Sequence, residues 1–233
     1  VEIGFYVKDF FLLKNNMKTP DEFNISKVYA YGSSTDLKNY YNDWAHEYDS
    51  YTVDVDYILP KKVAEIFCSK NITSKTVLDI GCGTGLLGVE LLRINPNLTI
   101  DGIDISESML DIAKLKRIDD KNFCYKHLYS VDIKNQNNFV QKQYDALVSS
   151  GTFTLGHLDA QDLYNCLEML KPEGFCVVSV KSDHFELDDF TGKLNDLEKS
   201  GEIKNLEYIE VNSYNSNYDA KSIIVIFLKS LYR

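Results

Sequence analysis

The sequence predicts an α/β protein: a doubly wound, mostly parallel, seven-stranded sheet with an antiparallel C-terminal edge and an N-terminal helical cap. Three observations carry that reading. After Ser74, short apolar runs alternate with helix-length amphipathic segments in the order βαβαβ, the pattern of a parallel sheet covered on both faces. Near the C-terminus two more strand-like runs follow each other with no helix-length segment between them, which makes them an antiparallel pair. Before Ser74 the apolar period is helical alone. The expected division is 1–70 for the cap and 71–233 for the sheet core, within one structural domain.

Leu37, Tyr40, Tyr41, Trp44, Ala45 and Tyr48 fall at i, i+3, i+4, i+7, i+8 and i+11, one face of an amphipathic helix starting near Thr35 or Asp36. A second helix is expected over 54–67 with Ile58, Val63, Ile66 and Phe67 inward; Pro60 in its first turns leaves its start open. Strands are expected at 76–80, 98–103, 123–128, 146–150 and 175–181. Helices are expected at 86–94, 108–115, 160–170 and 187–199. The tail runs 206–211 and 222–228 form the last two strands around a loop near 212–219.

Val77-Leu78-Asp79-Ile80-Gly81-Cys82-Gly83-Thr84-Gly85-Leu86-Leu87-Gly88 reads as a buried strand, a glycine-rich turn and the opening of a helix. Gly81, Gly83 and Gly85 let the backbone turn tightly and approach a ligand, and the helix behind them offers free N–H groups to it. Gly83-x-Gly85-x-x-Gly88 also fits a dinucleotide fingerprint. Asp79 weighs against that, because a carboxylate at the strand's end repels a diphosphate but attracts a ligand carrying an ammonium and a sulfonium. S-adenosyl-L-methionine (SAM) is such a ligand. Ligands of these sheets bind outside the carboxyl ends of the strands. Those ends here are Asp79, Asp104, Asp132 and Ser149-Ser150-Gly151, four polar ends expected to converge on one crevice. Any single aspartate among them could instead be a helix cap or turn residue, as Asp104-Ile105-Ser106 illustrates.

The residues resemble a known family. Asp79-x-Gly81-x-Gly83-x-Gly85 is similar to motif I of the class I SAM-dependent methyltransferases, whose fold is Rossmann-like. Segment 100–110 resembles that family's second strand and its acidic end, which implies that Asp104 accepts hydrogen bonds from the ribose hydroxyls. Val131-Asp132-Ile133 resembles the segment holding the adenine, with Asp132 at the exocyclic amine. Leu170-Lys171-Pro172-Glu173-Gly174-Phe175 looks like the family's turn before the fifth strand, with Glu173 where a glycine is usual. Within the family, the Williams–Beuren region 27 group of methyltransferase-like proteins is the nearest likeness. It rests on Tyr41-Asn42-Asp43-Trp44-Ala45-His46-Glu47-Tyr48-Asp49 and Gly151-Thr152-Phe153-Thr154-Leu155-Gly156-His157, with Asn42 where that group has an aspartate.

The candidate cofactor residues are Asp79, Gly81, Cys82, Gly83, Gly85 and Leu86, then Asp104, Ile105, Met109, Asp132, Ile133 and Ser149, with Tyr41 and Trp44 from the first helix. Cys82 is also a possible redox target, though a small residue suits the turn equally. SAM carries an already activated methyl group, so alignment and exclusion of water can suffice, and a base is needed only if the acceptor must lose a proton. His157, after the fourth strand, is the candidate base; its alternative is a loop histidine capping the helix near Asp159. Tyr48 is the second catalytic candidate. His46 is expected in solvent, and His127 and His184 at the surface. The tyrosine-rich stripe could simply be core, but each buried hydroxyl needs a partner, which a ligand under the helix would supply.

Composition bounds the rest. The 233 residues suit one α/β core, and 44% hydrophobic residues exclude disorder. A formal net charge of −10 argues against nucleic acid or an anionic membrane as partner. Five cysteines without paired metal spacing fit reduced thiols and no bound metal. Glu2, Lys8 and Asp9 interrupt the apolar start, which predicts no signal peptide, and no run reaches transmembrane length, so the cytoplasm is expected. The reading is a SAM-dependent methyltransferase acting on a small, neutral or cationic acceptor. The alternatives are an NAD-dependent oxidoreductase, a protein methyltransferase and a non-catalytic SAM-binding protein.

Overall fold

The computed structural model describes residues 33–70, 73–135, 143–215 and 220–231. The apolar start and most of the expected cap therefore lie outside the described residues. Helix α1 (Ser34–Asp54) begins just before the expected position because Ser33 caps it, accepting from the Asp36 N–H at 3.2 Å. Helix α2 (Leu59–Lys70) starts later than expected: the chain turns through Asp56 at φ +54°, and Pro60 then occupies the first turn. The core follows as β1 (Thr76–Ile80), α3 (Leu86–Ile94), β2 (Thr99–Asp104), α4 (Glu107–Ala113), β3 (Tyr125–Ser130) and β4 (Tyr144–Phe153). Helix α5 (Ala160–Cys166) tightens into a 3-10 turn at Leu167–Met169 before β5 (Leu170–Lys181).

The helix expected at 187–199 is two helices, α6 (Ser182–Leu187) and α7 (Phe190–Lys199). Asp189 breaks them: it sits at φ +49° and caps α7 by accepting from the Gly192 N–H. Strands β6 (Ile203–Asn212) and β7 (Lys221–Lys229) close the chain. The segment expected as a turn before the fifth strand lies within β5, where the register against β4 shifts between Tyr144 and Ala146. Glu173 takes the left-handed conformation at φ +61°, and its carboxylate pairs with Lys204 at 2.7 Å.

The sheet order is β3-β2-β1-β4-β5-β7-β6. Neighbours from β3 to β5 are parallel, whereas β7 is antiparallel to both β5 and β6. The antiparallel strand thus lies one in from the edge, and β6 is the edge itself. Alternating residues feed two cores. Val77, Ala146, Val148 and Val177 face α2, α3 and α4, while Leu78, Leu147 and Val178 face α5 and α7. Helix α2 packs into the first of these layers through Leu59, Val63, Ala64 and Phe67. Among the described residues, α1 carries a cluster of its own, Leu37, Tyr40 and Trp44. Among the described residues no helix is long and apolar enough to cross a membrane, and no group of His, Cys, Asp or Glu could hold a metal ion.

Candidate functional site

Strand order reverses between β1 and β4, and the crevice that opens there at the strands' carboxyl ends is where such sheets bind ligands. A cavity of about 320 Å³ occupies it. Its floor is Gly81 and Gly83, one side is Asp104, Ile105, Met109, Val131, Asp132 and Ile133, and the other is the end of β4 with Ser150, Gly151 and Thr152. Leu37, Tyr41 and Tyr48 of α1 roof it, and His157 closes the far end.

The floor is fixed by backbone needs. Gly81 has φ +64°, and a Cβ there would collide with the Thr152 side chain, whose hydroxyl donates to the Ile80 carbonyl at 3.1 Å. Asp104 binds the floor to the next helix: one oxygen accepts from the Gly83 N–H and the other from the Ser106 N–H, both at 2.8 Å. Burial pushes the Asp104 carboxyl up, and those two donors oppose the rise. Ser106 caps α4 by accepting from the Met109 N–H at 3.1 Å.

Helix α1 is latched over this floor at several points. Asn42 Oδ1 accepts from Ser106 Oγ at 2.8 Å and from the Ser108 N–H at 3.2 Å, so it caps the start of α4 from outside. Asp49 accepts from Thr84 Oγ1 at 2.6 Å in the glycine turn and pairs with Lys116. Lys38 pairs with Glu107 at 2.9 Å. Across the cavity, the Tyr41 hydroxyl lies 2.9 Å from His157 Nε2.

The protonation of that last pair can be worked out. His157 Nδ1 lies 3.1 Å from the Leu155 carbonyl, so Nδ1 carries the proton. Burial pushes the His157 imidazole down to about 4, so Nε2 holds a lone pair at neutral pH and Tyr41 is the donor to it. Tyr48 is a different case. Burial, with Tyr214 and Tyr51 nearby, pushes its hydroxyl well up, so it stays protonated at neutral pH.

Several sequence candidates lie off the cavity wall. Trp44, 1% exposed, is on the inner stripe of α1, against Tyr40, Tyr48 and Tyr51. Cys82 turns its sulfur toward Gly102 beneath the turn, Gly85 faces Tyr125, and Leu86 begins α3 behind the loop. Ser149 points between the strands, donating to the Ile80 carbonyl at 2.7 Å, because successive strand residues face opposite ways; its neighbour Ser150 is on the wall. Asp79 is fully buried behind the floor, where Oδ2 accepts from the Tyr125 hydroxyl at 2.7 Å. His184 is buried too, 2.9 Å from the Leu158 carbonyl, and is not the surface residue expected; His46 and His127 are exposed as expected.

Sequence reasoning placed Ser150 among the strand ends but missed Lys134 and Thr152 on the wall, and Tyr57, whose hydroxyl lies against Gly151. The only signal for Thr152 was nearness to a strand end; Tyr57 carried none.

Comparisons with known proteins agree with this geometry. Residues 77–174 match the family described as a methyltransferase domain. A malonyl-[acyl-carrier protein] O-methyltransferase of Priestia megaterium is 30% identical over 147 residues, 61% of this chain and 50% of that one. A ubiquinone biosynthesis O-methyltransferase of Hydrogenovibrio crunogenus is 28% identical over 129 residues, 55% of this chain and 52% of that one. The chain thus spans about half the length of these relatives. Among solved structures, a TehB-like SAM-dependent methyltransferase from Corynebacterium glutamicum superposes with a TM-score of 0.56 at 19% identity, over 82% of this chain and 99% of that one. The plantazolicin methyltransferase BpumL, solved with S-adenosylhomocysteine, gives 0.52 at 16% identity, over 90% and 95%. At such identities the structures speak for the fold alone.

Proposed function

We propose that this chain, whose residues 77–174 match a methyltransferase-domain family, binds SAM in the switch-point cavity and transfers its methyl group to a small acceptor held near Tyr41 and His157. One observation carries the reading: the turn after β1, Asp104 at the end of β2, Asp132 after β3 and the end of β4 all reach the same cavity.

The residues present fit that cofactor. The Asp104 carboxylate accepts from the Gly83 and Ser106 N–H groups and has acceptor capacity left for a ribose hydroxyl. Buried Asp79 Oδ1 and Ser150 Oγ have no hydrogen-bond partner among the described residues, and a Cβ on Gly83 would meet nothing within 4 Å. In this reading Asp132 accepts from the adenine amine, and Ile105, Met109 and Ile133 form the ring's apolar bed. Gly81 and Gly83 give the amino-acid end room, and Asp79 contributes negative charge from behind them. When bound, the cofactor supplies a methyl group activated by its sulfonium. The chain's own work is then to align the acceptor, exclude water under α1 and, for an acceptor that must lose a proton, receive it at His157 Nε2 once Tyr41 turns aside. Tyr48 lines the wall and moves no proton.

We infer an oxygen acceptor, as in the names of the relatives, and a neutral or cationic one given the carboxylates at the site. A second reading is favoured by Lys134 on the wall: an anionic acyl group, free or carrier-linked, resembling what the malonyl-[acyl-carrier protein] enzymes are named for. The finer likeness to the Williams–Beuren region 27 group draws support from its two segments meeting at the Tyr41–His157 contact. Calorimetric titration with S-adenosylhomocysteine and NADH is the test. Binding of the first and not the second is expected; the reverse overturns the reading. Labelled SAM offered a phenol and a malonyl thioester then separates the two acceptor classes.

A further inference from the structure

Tyr125 is the first residue of β3, two strands from Asp79, yet its hydroxyl donates to Asp79 Oδ2 at 2.7 Å. It reaches there by crossing β2 at Gly102, where a Cβ would lie 3.0 Å from its ring. The same hydroxyl accepts from the Gly88 N–H at 3.1 Å, one of the donors that the first turn of α3 cannot satisfy within the helix. A Cβ on Gly88 would lie 2.5 Å from that hydroxyl. Gly88 is therefore Tyr125's seat, which explains the glycine that completed the apparent dinucleotide fingerprint.

The anchored carboxylate is anomalous. Asp79 is fully buried, and among the described residues no cationic side chain pairs with it and Oδ1 has no hydrogen-bond partner. The groups facing it are Tyr125 from β3, Asp104 from β2 and the Cys82 thiol in the turn, none of them positive. A buried charge without a partner is costly, and a cationic ligand in the adjoining cavity would compensate it.

We propose that Tyr125 is a positioning residue for cofactor binding, holding Asp79 in place and ionised so that it attracts the ammonium of the cofactor's amino-acid end. This rests on the SAM reading above. Burial pushes the Asp79 carboxyl up to about 7, the Tyr125 hydrogen bond opposes that rise, and the charge of Asp104 adds to it. The ammonium is attracted only by the ionised form, so attraction is lost as pH falls through that value.

The test compares S-adenosylhomocysteine with 5′-methylthioadenosine, which lacks the ammonium, by calorimetry between pH 5.5 and 8.5. For the unaltered protein the affinity ratio of the two should rise roughly tenfold from pH 6 to pH 8. Tyr125→Phe should move the midpoint up by about one pH unit, costing S-adenosylhomocysteine roughly fivefold at pH 7 and leaving methylthioadenosine unchanged. Asp79→Asn should flatten the ratio. Equal losses for both ligands at every pH in Tyr125→Phe, or an unmoved midpoint, overturn the proposal. Should the Phe variant not fold, 3-fluorotyrosine at position 125 alone, a stronger donor of the same shape, must move the midpoint down, and failure to do so overturns it equally. Binding of neither ligand to the unaltered protein instead rejects the SAM reading itself.

Discussion

The Tyr41 hydroxyl donates to His157 Nε2 at 2.9 Å, joining α1 to the loop after β4 across the mouth of the cavity. The contact makes the roof helix and the candidate base one unit. For a hydroxyl acceptor, His157→Ala should lower methyl transfer by roughly 10²–10⁴-fold while S-adenosylhomocysteine affinity stays within about twofold, with partial recovery at high pH. Normal turnover of the variant across pH leaves alignment as the whole of catalysis. Stability carries a second signature. The imidazole is held down at about 4 in the folded chain, below its usual 6.5, so stability is full above that usual value and falls as pH drops toward 4. His157→Gln should remove that part of the acid sensitivity in urea unfolding.

Asp104 is expected to hold the ribose diol. Two charge-assisted hydrogen bonds at roughly 1.5–3 kcal/mol each predict that Asp104→Ala weakens SAM binding by at least about tenfold. The variant also frees the Gly83 and Ser106 N–H groups, so circular dichroism must first show it folded. Unchanged affinity in a folded variant removes Asp104 from the site.

Asp79 should trade stability for binding. Its carboxyl titrates near 7 when folded, above its usual 3.8, so its contribution is full below the usual value and is lost as pH rises through 7. Asp79→Asn should therefore stabilise the fold at pH 8 by on the order of 2–4 kcal/mol, and the gain should shrink steadily between pH 7 and pH 4. Urea midpoints at pH 8, 6 and 4.5 read this directly; a gain independent of pH rejects it.

Asp49 ties α1 to the glycine turn through Thr84 and to Lys116. Asp49→Ala should raise amide exchange over 34–54 by about tenfold while exchange in β1 and β4 holds, because a local latch is lost and the sheet core is not. Equal acceleration in the strands would mean that α1 unfolds only with the whole domain.

Sequence alone determined the sheet, the glycine turn and the acidic strand ends. Those rest on local rules: apolar period, turn chemistry and the placement of Asp104 and Asp132 after strands, all readable within a few residues. The αβ order also fixed that β6 and β7 pair antiparallel, since no crossover segment separates them.

Tertiary structure decided the rest, because contacts between distant positions leave no local trace. Tyr125 reads as one more strand aromatic until β2 offers Gly102 as its passage to Asp79. Ser150, and not Ser149, faces the cavity because strand pleat, not position, decides which side chain emerges. Trp44 and Tyr41 share a stripe on α1, yet packing buries the first in the helix's own cluster and leaves the second to reach His157. Helical period names the face of a helix, but only the surface it meets determines which of that face's residues become core and which become wall.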